Sequence, residues 1–283
     1  MTTELEDFIL TKPEVAVATK RNYRNQYNRI RQSLKNDIIN SSEEEILAAA
    51  KIVSNDNPSC EWTYLNLPFM IRQTRFFLSN DLIQQRRSEL KILRDNHTLT
   101  QKVEKNDTLP NMKTVQDFTK QLFQNKEFKR YIVNFLLINY GVRNKDINVF
   151  IVGSKADAKY TEINYLIVKK NEVEWIRNDY KTVATYGPKN IIIKSKPFIE
   201  AIKTVPLNSW LLTDFENKLN DTSIATTIKR LLYDNLAEGD YFKIILNDIN
   251  TKPNTTQLLQ YYSNMRGTDL KTLLKYYDLA PAI

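Results

Sequence analysis

The chain has 283 residues, and 42% hydrophobic content with 11% aromatics, 5 Gly and 9 Pro excludes disorder as the main state, as well as collagen-like and low-complexity architecture. One cysteine, Cys60, excludes an internal disulfide framework. With a single histidine, His97, it leaves almost no ligand set for structural zinc. Lys+Arg 41 against Asp+Glu 33 gives a net charge of +8, a surplus that attracts polyanions, nucleic acid before anionic membrane.

At the start of the chain, Glu4, Glu6 and Asp7 stand where a secretion signal needs positive charge followed by a greasy run. No stretch approaches the roughly 18 consecutive apolar residues of a membrane span. An intracellular protein, neither secreted nor membrane-bound, is expected. Abundant Asn, Lys, Ile and Tyr point to a low-GC genome such as a virus's.

From Val15 to Leu34, the spacing of Tyr23, Tyr27, Ile30 and Leu34 predicts an amphipathic helix. Lys20, Arg21, Arg24, Arg31 and Lys35 fall within about one third of its circumference at roughly 100° per residue, with no acid among them. That stripe is either a solvated helix face or a surface that tracks phosphates. Ser41 and Ser42 before Glu43, Glu44 and Glu45 make an N-terminal cap with acids in the first turn, and 55–59 with Pro58 breaks that helix. A further helical stretch is predicted over 67–93, carrying Arg72, Arg75, Arg86, Arg87 and Lys91. Residues 1–95 therefore read as one helical domain. The polar stretch 96–112, with Asn106, Asp107 and Pro110, reads as a linker.

Residues 113–283 read as a second domain. Apolar clusters at helical spacing over 115–140 end at Gly141, a predicted C-cap. Strand-like runs follow at 147–152, 163–168, 173–176 and 190–194, with Lys170 and Asn171 as a hairpin tip, and helices return from about Phe198. The fold class is mainly α with a small antiparallel β-sheet.

No carboxylate cluster for a catalytic metal and no Gly-rich phosphate loop is evident. A basic protein acting on phosphodiesters without a metal must use Arg, Lys and Tyr side chains to clamp charge, donate a proton and attack phosphorus. Here a resemblance enters. The stretch 136–147, where a helix ends in Gly141 before Arg143, resembles the box of tyrosine recombinases (phage integrase-like and topoisomerase IB-like enzymes) that carries the first catalytic Arg. Residues 173–193, with Lys181-Thr182, resemble that family's hairpin bearing a catalytic Lys. The helical opening Thr19-Lys20-Arg21-Asn22-Tyr23 resembles its core-binding domain.

The resemblance implies Arg230 as the second Arg, with Thr227 where the family has His. It places Arg266 or Gly267 at a second His/Trp position. Tyr276 is the first choice of nucleophile and Tyr277 the second, with Tyr261 and Tyr262 further candidates. What it implies is double-stranded DNA as partner, bound by Lys20, Arg21, Arg24, Arg31 and Lys35. The reaction it implies would be site-specific strand cleavage and rejoining through a 3′-phosphotyrosyl bond, with no metal and no cofactor. Arg143 and Arg230 would clamp the phosphate, Lys181 would protonate the leaving oxygen and Arg266 would favour the phenolate. The expected location is the compartment that holds the DNA.

Taken singly, each residue has a structural alternative. Arg143 can cap a helix C-terminus, Lys181 and Arg230 can be surface residues, and the tyrosines can be core aromatics. The missing histidines leave open a catalytically inactive DNA-binding or structural protein on the same scaffold. Only six residues follow Tyr277, among them Pro281, so the helix that recombinases swap between subunits is not expected, although assembly on DNA is possible.

Overall fold

The computed structural model describes residues 4–277 apart from 14, 16, 107, 215 and 216. The chain divides into two compact units, Met1–Glu104 and Lys105–Ile283. It is mainly helical with one small five-stranded sheet.

The first unit consists of α1 (Glu4–Leu10), α2 (Val17–Gln32), a 3-10 turn at Ile38–Asn40, α3 (Glu43–Ser54), α4 (Pro58–Arg75) and α5 (Asp81–Asn106). Its core gathers Phe8, Ile30, Ile38, Ile46, Leu65, Ile71 and Ile83, all fully buried. Ser42 opens α3 with a capping box: its hydroxyl accepts from the Glu45 N–H at 3.2 Å, and the Glu45 carboxylate accepts from the Ser42 N–H at 2.9 Å. Asn57 caps α4 ahead of Pro58 by accepting from the N–H groups of Ser59 and Cys60.

Two buried charges tie these helices together. Glu4 accepts from the Ile38 and Ile39 N–H groups and from the Tyr27 hydroxyl. Arg72 donates to the carbonyls of Ile38, Ser41 and Ser79 and to the Asn80 side chain. Those last contacts explain why the helix expected over 67–93 is two helices. Arg72 fastens the turn at 76–80, Phe77 takes a left-handed φ of 52°, and Ser79 and Asn80 use their side chains locally. The expected linker at 96–112 is crossed by α5, which continues through Asn106. Leu, Gln, Lys, Val and Glu extend an established helix without an apolar stripe of their own.

In the second unit, α6 (Met112–Gln124) and α7 (Phe128–Tyr140) are separate helices within the stretch 115–140, parted at Asn125 and Lys126, where Lys126 has φ 59°. A 3-10 turn at Asn144–Ile147 leads to β1 (Val149–Val152), and a second at Lys155–Asp157 precedes β2 (Asn164–Val168). Then come β3 (Val173–Arg177), α8 (Val183–Tyr186), β4 (Lys189–Ile193), α9 (Lys196–Ile202), β5 (Ser209–Trp210), β6 (Thr213–Asp214) and β7 (Asn217–Lys218). The unit closes with α10 (Asp221–Leu231), a 3-10 turn at Tyr233–Asn235, α11 (Glu238–Asn250), α12 (Thr255–Arg266) and α13 (Leu270–Tyr277).

The sheet order is β4-β3-β2-β1-β5. The expected antiparallel pattern holds for three of its four pairings, while β1 and β2 run parallel, because the 153–163 connection carries the chain back to the starting end before β2. Alternation sets the faces. Ile151, Leu166 and Trp175, in register, face the main core with α7 and α9, whereas Val152, Tyr165 and Ile167 form a smaller cluster on the other side. Gly141 ends α7 at φ 58°, and a Cβ there would lie 2.7 Å from both Phe242 and Tyr262.

Candidate nucleic-acid interface

The sharpest charge cluster of the second unit surrounds the C-terminus of α12. The last carbonyls of a helix lack intrahelical donors and carry the negative end of its dipole, so they attract cations. Four consecutive carbonyls here each receive a side chain. Lys189, from the start of β4, donates to Asn264, and Arg177, from the end of β3, donates to Met265 at 2.6 Å. Arg143 donates to Arg266, and the Thr182 hydroxyl donates to Gly267 at 2.6 Å. Gly267 is in the left-handed region with φ 61°, and a Cβ there would clash with the Thr182 hydroxyl and lie 2.9 Å from Tyr180.

The arrangement is reciprocal. Arg266, 2% exposed, donates to the Gly141 carbonyl at 2.9 Å at the end of α7, stacks over Phe242 and meets the Glu238 carboxylate at 2.6 Å. Arg177 meets Asp146 at 2.9 Å with both side chains fully buried, and Asp146 also accepts from the Arg143 N–H at 2.7 Å. Burial pushes the Asp146 carboxyl up, against the pull of Arg177. Burial, reinforced by Arg177, pushes the Lys189 ammonium down.

Of the residues singled out in sequence, Arg143 and Arg266 therefore come together, each holding the chain end beside the other. Arg143 does cap a helix, but the helix is α12 and not α7. Arg230 is exposed in the last turn of α10, and Lys181 is exposed in the β3–β4 connection; neither makes a hydrogen bond or ion pair among the described residues. Lys189, eight residues after Lys181, is the lysine that reaches the arginines. Its one signal in the sequence is its place, directly after Gly187-Pro188 at the start of the strand. Arg177, Asp146 and Glu238 carried no distinguishing local pattern.

The backbones of Tyr276 and Tyr277 end α13, and their side chains lie outside the described residues. Thr272 is bound to Asp269, whose carboxylate accepts from both its N–H and its hydroxyl and so opens α13. Burial raises the phenols of Tyr261 and Tyr262 above their ordinary range, and Tyr262 donates to the Ile138 carbonyl at 3.3 Å.

The basic stripe of α2 is largely engaged within its own unit. Arg24 makes two bonds to Glu6, at 2.9 and 3.1 Å, and Arg31 meets Asp37 at 2.8 Å and the Leu34 carbonyl. Lys20 donates to the Pro13 carbonyl; Arg21 and Lys35 are exposed. The acids that neutralise the stripe come from α1 and from the turn after α2, so inspecting α2 alone could not reveal them.

A second basic surface lies at the far end of β3 and β4 from α12. Lys170 at the tip of the β2–β3 hairpin, Lys194 just after β4, and Lys196 and Lys203 at the two ends of α9 line a cavity of about 450 Å³, whose one acid is Glu200. Lys203 donates to the Lys170 carbonyl at 2.9 Å. Lys170, Lys194 and Lys196 are exposed and make no ion pair among the described residues. Residues 105–283 hold 26 of the 41 basic residues but 19 of the 33 acids, so nearly the whole surplus sits in this unit. Among the described residues no helix is long and apolar enough to cross a membrane.

No family model matches this sequence, and no curated protein matches it. Among solved structures, one of XerA recombinase is similar, with a TM-score of 0.38 and 11% sequence identity, covering 98% of this chain and 93% of that one.

Proposed function

We propose that this chain binds double-stranded DNA by its phosphate backbone through the second unit and does not itself cut the strand. The observation that carries the reading is the group of three exposed lysines, Lys170, Lys194 and Lys196, which make no ion pair among the described residues and come from separate elements to one cavity. Like charges held together repel, and a phosphodiester strand relieves that repulsion while releasing its condensed counterions. The sequence resemblance to tyrosine recombinases favours duplex DNA as the polyanion. Against cleavage stand Arg266, buried against Glu238, and Arg143, whose guanidinium is engaged by the Arg266 carbonyl.

Duplex affinity measured by fluorescence anisotropy against salt is the test. Replacing Lys170, Lys194 and Lys196 by Gln should lower the slope of log affinity on log salt by up to about 2.7, at about 0.9 per phosphate. A wild-type chain that binds duplex no better than it binds heparin overturns the reading.

Strand breaking and rejoining is a second reading, favoured by the convergence of Arg143, Arg177 and Lys189 on adjacent oxygens and by the lowered pKa of Lys189, which suits a proton donor. A nicked suicide substrate separates the two: a covalent protein–DNA adduct, lost on replacing Tyr276 and Tyr277 together by Phe, establishes the second and removes the first.

A further inference from the structure

A cavity of about 620 Å³ opens where the turn between α6 and α7 meets β5, within the size range of small-ligand sites, roughly 300–1,000 Å³. Its lining combines three kinds of group. Trp210 supplies a half-buried indole, packed edge-on against Phe150 at 5.2 Å between ring centres. Lys126 and Lys129 supply exposed ammonium groups without an ion pair among the described residues, because the only acid of the lining, Glu127, is taken by Arg130 at 2.7 Å. Thr204 and Ser209 donate their hydroxyl protons to the carbonyls of Ala201 and Pro206, so their oxygens turn lone pairs outward and act as acceptors. Lys126 also holds a left-handed backbone at φ 59°, a place where glycine costs less.

An aromatic platform, cations and hydroxyl acceptors complement an aromatic base, a phosphate, and the amino or sugar hydroxyl donors between them. We infer that this cavity binds a nucleoside phosphate, its base on Trp210 and its phosphate on Lys126 and Lys129. The source is either an unpaired nucleotide of a strand or a free nucleotide. The strand form rests on the nucleic-acid reading above and extends it to single-stranded ends or displaced strands; the lysines of the hairpin tip play no part in it.

Trp210 is its own reporter. The full chain should lose tryptophan emission on adding a single-stranded oligo(dA), and the Trp210→Phe variant should not. The double variant Lys126→Gln, Lys129→Gln should bind the oligonucleotide more weakly, with the salt slope lowered by up to about 1.4, at about 0.7 per single-strand phosphate. Adenosine triphosphate in place of the oligonucleotide identifies the free nucleotide as the source if it quenches and the strand does not. Equal quenching in wild type and Trp210→Phe, or no quenching by either probe, overturns the inference. Duplex binding in parallel keeps the two ideas apart. Duplex affinity without quenching removes this site alone, whereas quenching by the strand without duplex affinity removes the duplex reading alone.

Discussion

The two units differ in their balance of charge and in where their unpaired cations gather. In the helical unit, several arginines meet acids or chain carbonyls of the same unit: Arg24 with Glu6, Arg31 with Asp37, Arg86 with Glu61, and Arg72 with three carbonyls. Residues 1–104 hold 15 basic against 14 acidic residues, close to neutral. In the α+β unit, Arg177 and Arg266 are buried as internal fasteners, whereas Lys170, Lys194 and Lys196 are exposed and make no ion pair among the described residues. Guanidinium suits the buried role because its planar fork satisfies several carbonyls at once and never loses its charge. Lysine, a hydrated point charge, suits loose contact with phosphates. A count of basic residues along the chain conceals this division, and partner geometry reveals it.

The largest effect that would break or sharpen this contrast concerns the fasteners. Arg177→Met leaves Asp146 buried without its partner and frees the Met265 carbonyl, so urea unfolding should show a loss of about 3–5 kcal/mol. A loss no greater than that of a surface pair would mean that the α+β unit does not depend on its buried ion pair. Next comes Gly267→Ala. It forces a side chain into the left-handed region against Thr182 and Tyr180, and should lower stability by more than about 1 kcal/mol in the same measurement. The smallest effect is expected in the helical unit. Replacing Arg24 and Arg31 by Gln should change urea unfolding too little to resolve, because both pairs are exposed, and should leave the salt slope of duplex binding unchanged. A fall in that slope comparable to the one expected for the hairpin-tip lysines would return the DNA-facing role to α2.

Local structure was legible wherever a residue type acts on its own backbone. Ser42 ahead of the acids of α3, the break around Pro58, Gly141 after α7, and the strand runs that form β2 and β3 all stand where the sequence pattern places them. The break between α4 and α5 was not legible. Its cause is Arg72, whose acceptors Ile38 and Ser41 lie more than thirty residues away in the chain. The candidate site divides along the same line. Arg143 and Arg266 could be picked out through the resemblance to the recombinase boxes, but the fact that they hold each other's helix ends could not. Lys189 went unnoticed beside Lys181, because the direction a strand-end lysine takes depends on which helix terminus packs against it.

By itself, the sequence determined the mainly helical composition, the ends of many elements and the sign of the surface charge, because propensity, capping and side-chain period act over a few residues. Tertiary structure alone decided which cations are spent on helix ends and acids and which remain free for an anion. A charge is neutralised by whatever lies within a few ångströms in space, and folding brings those partners from distant parts of the chain.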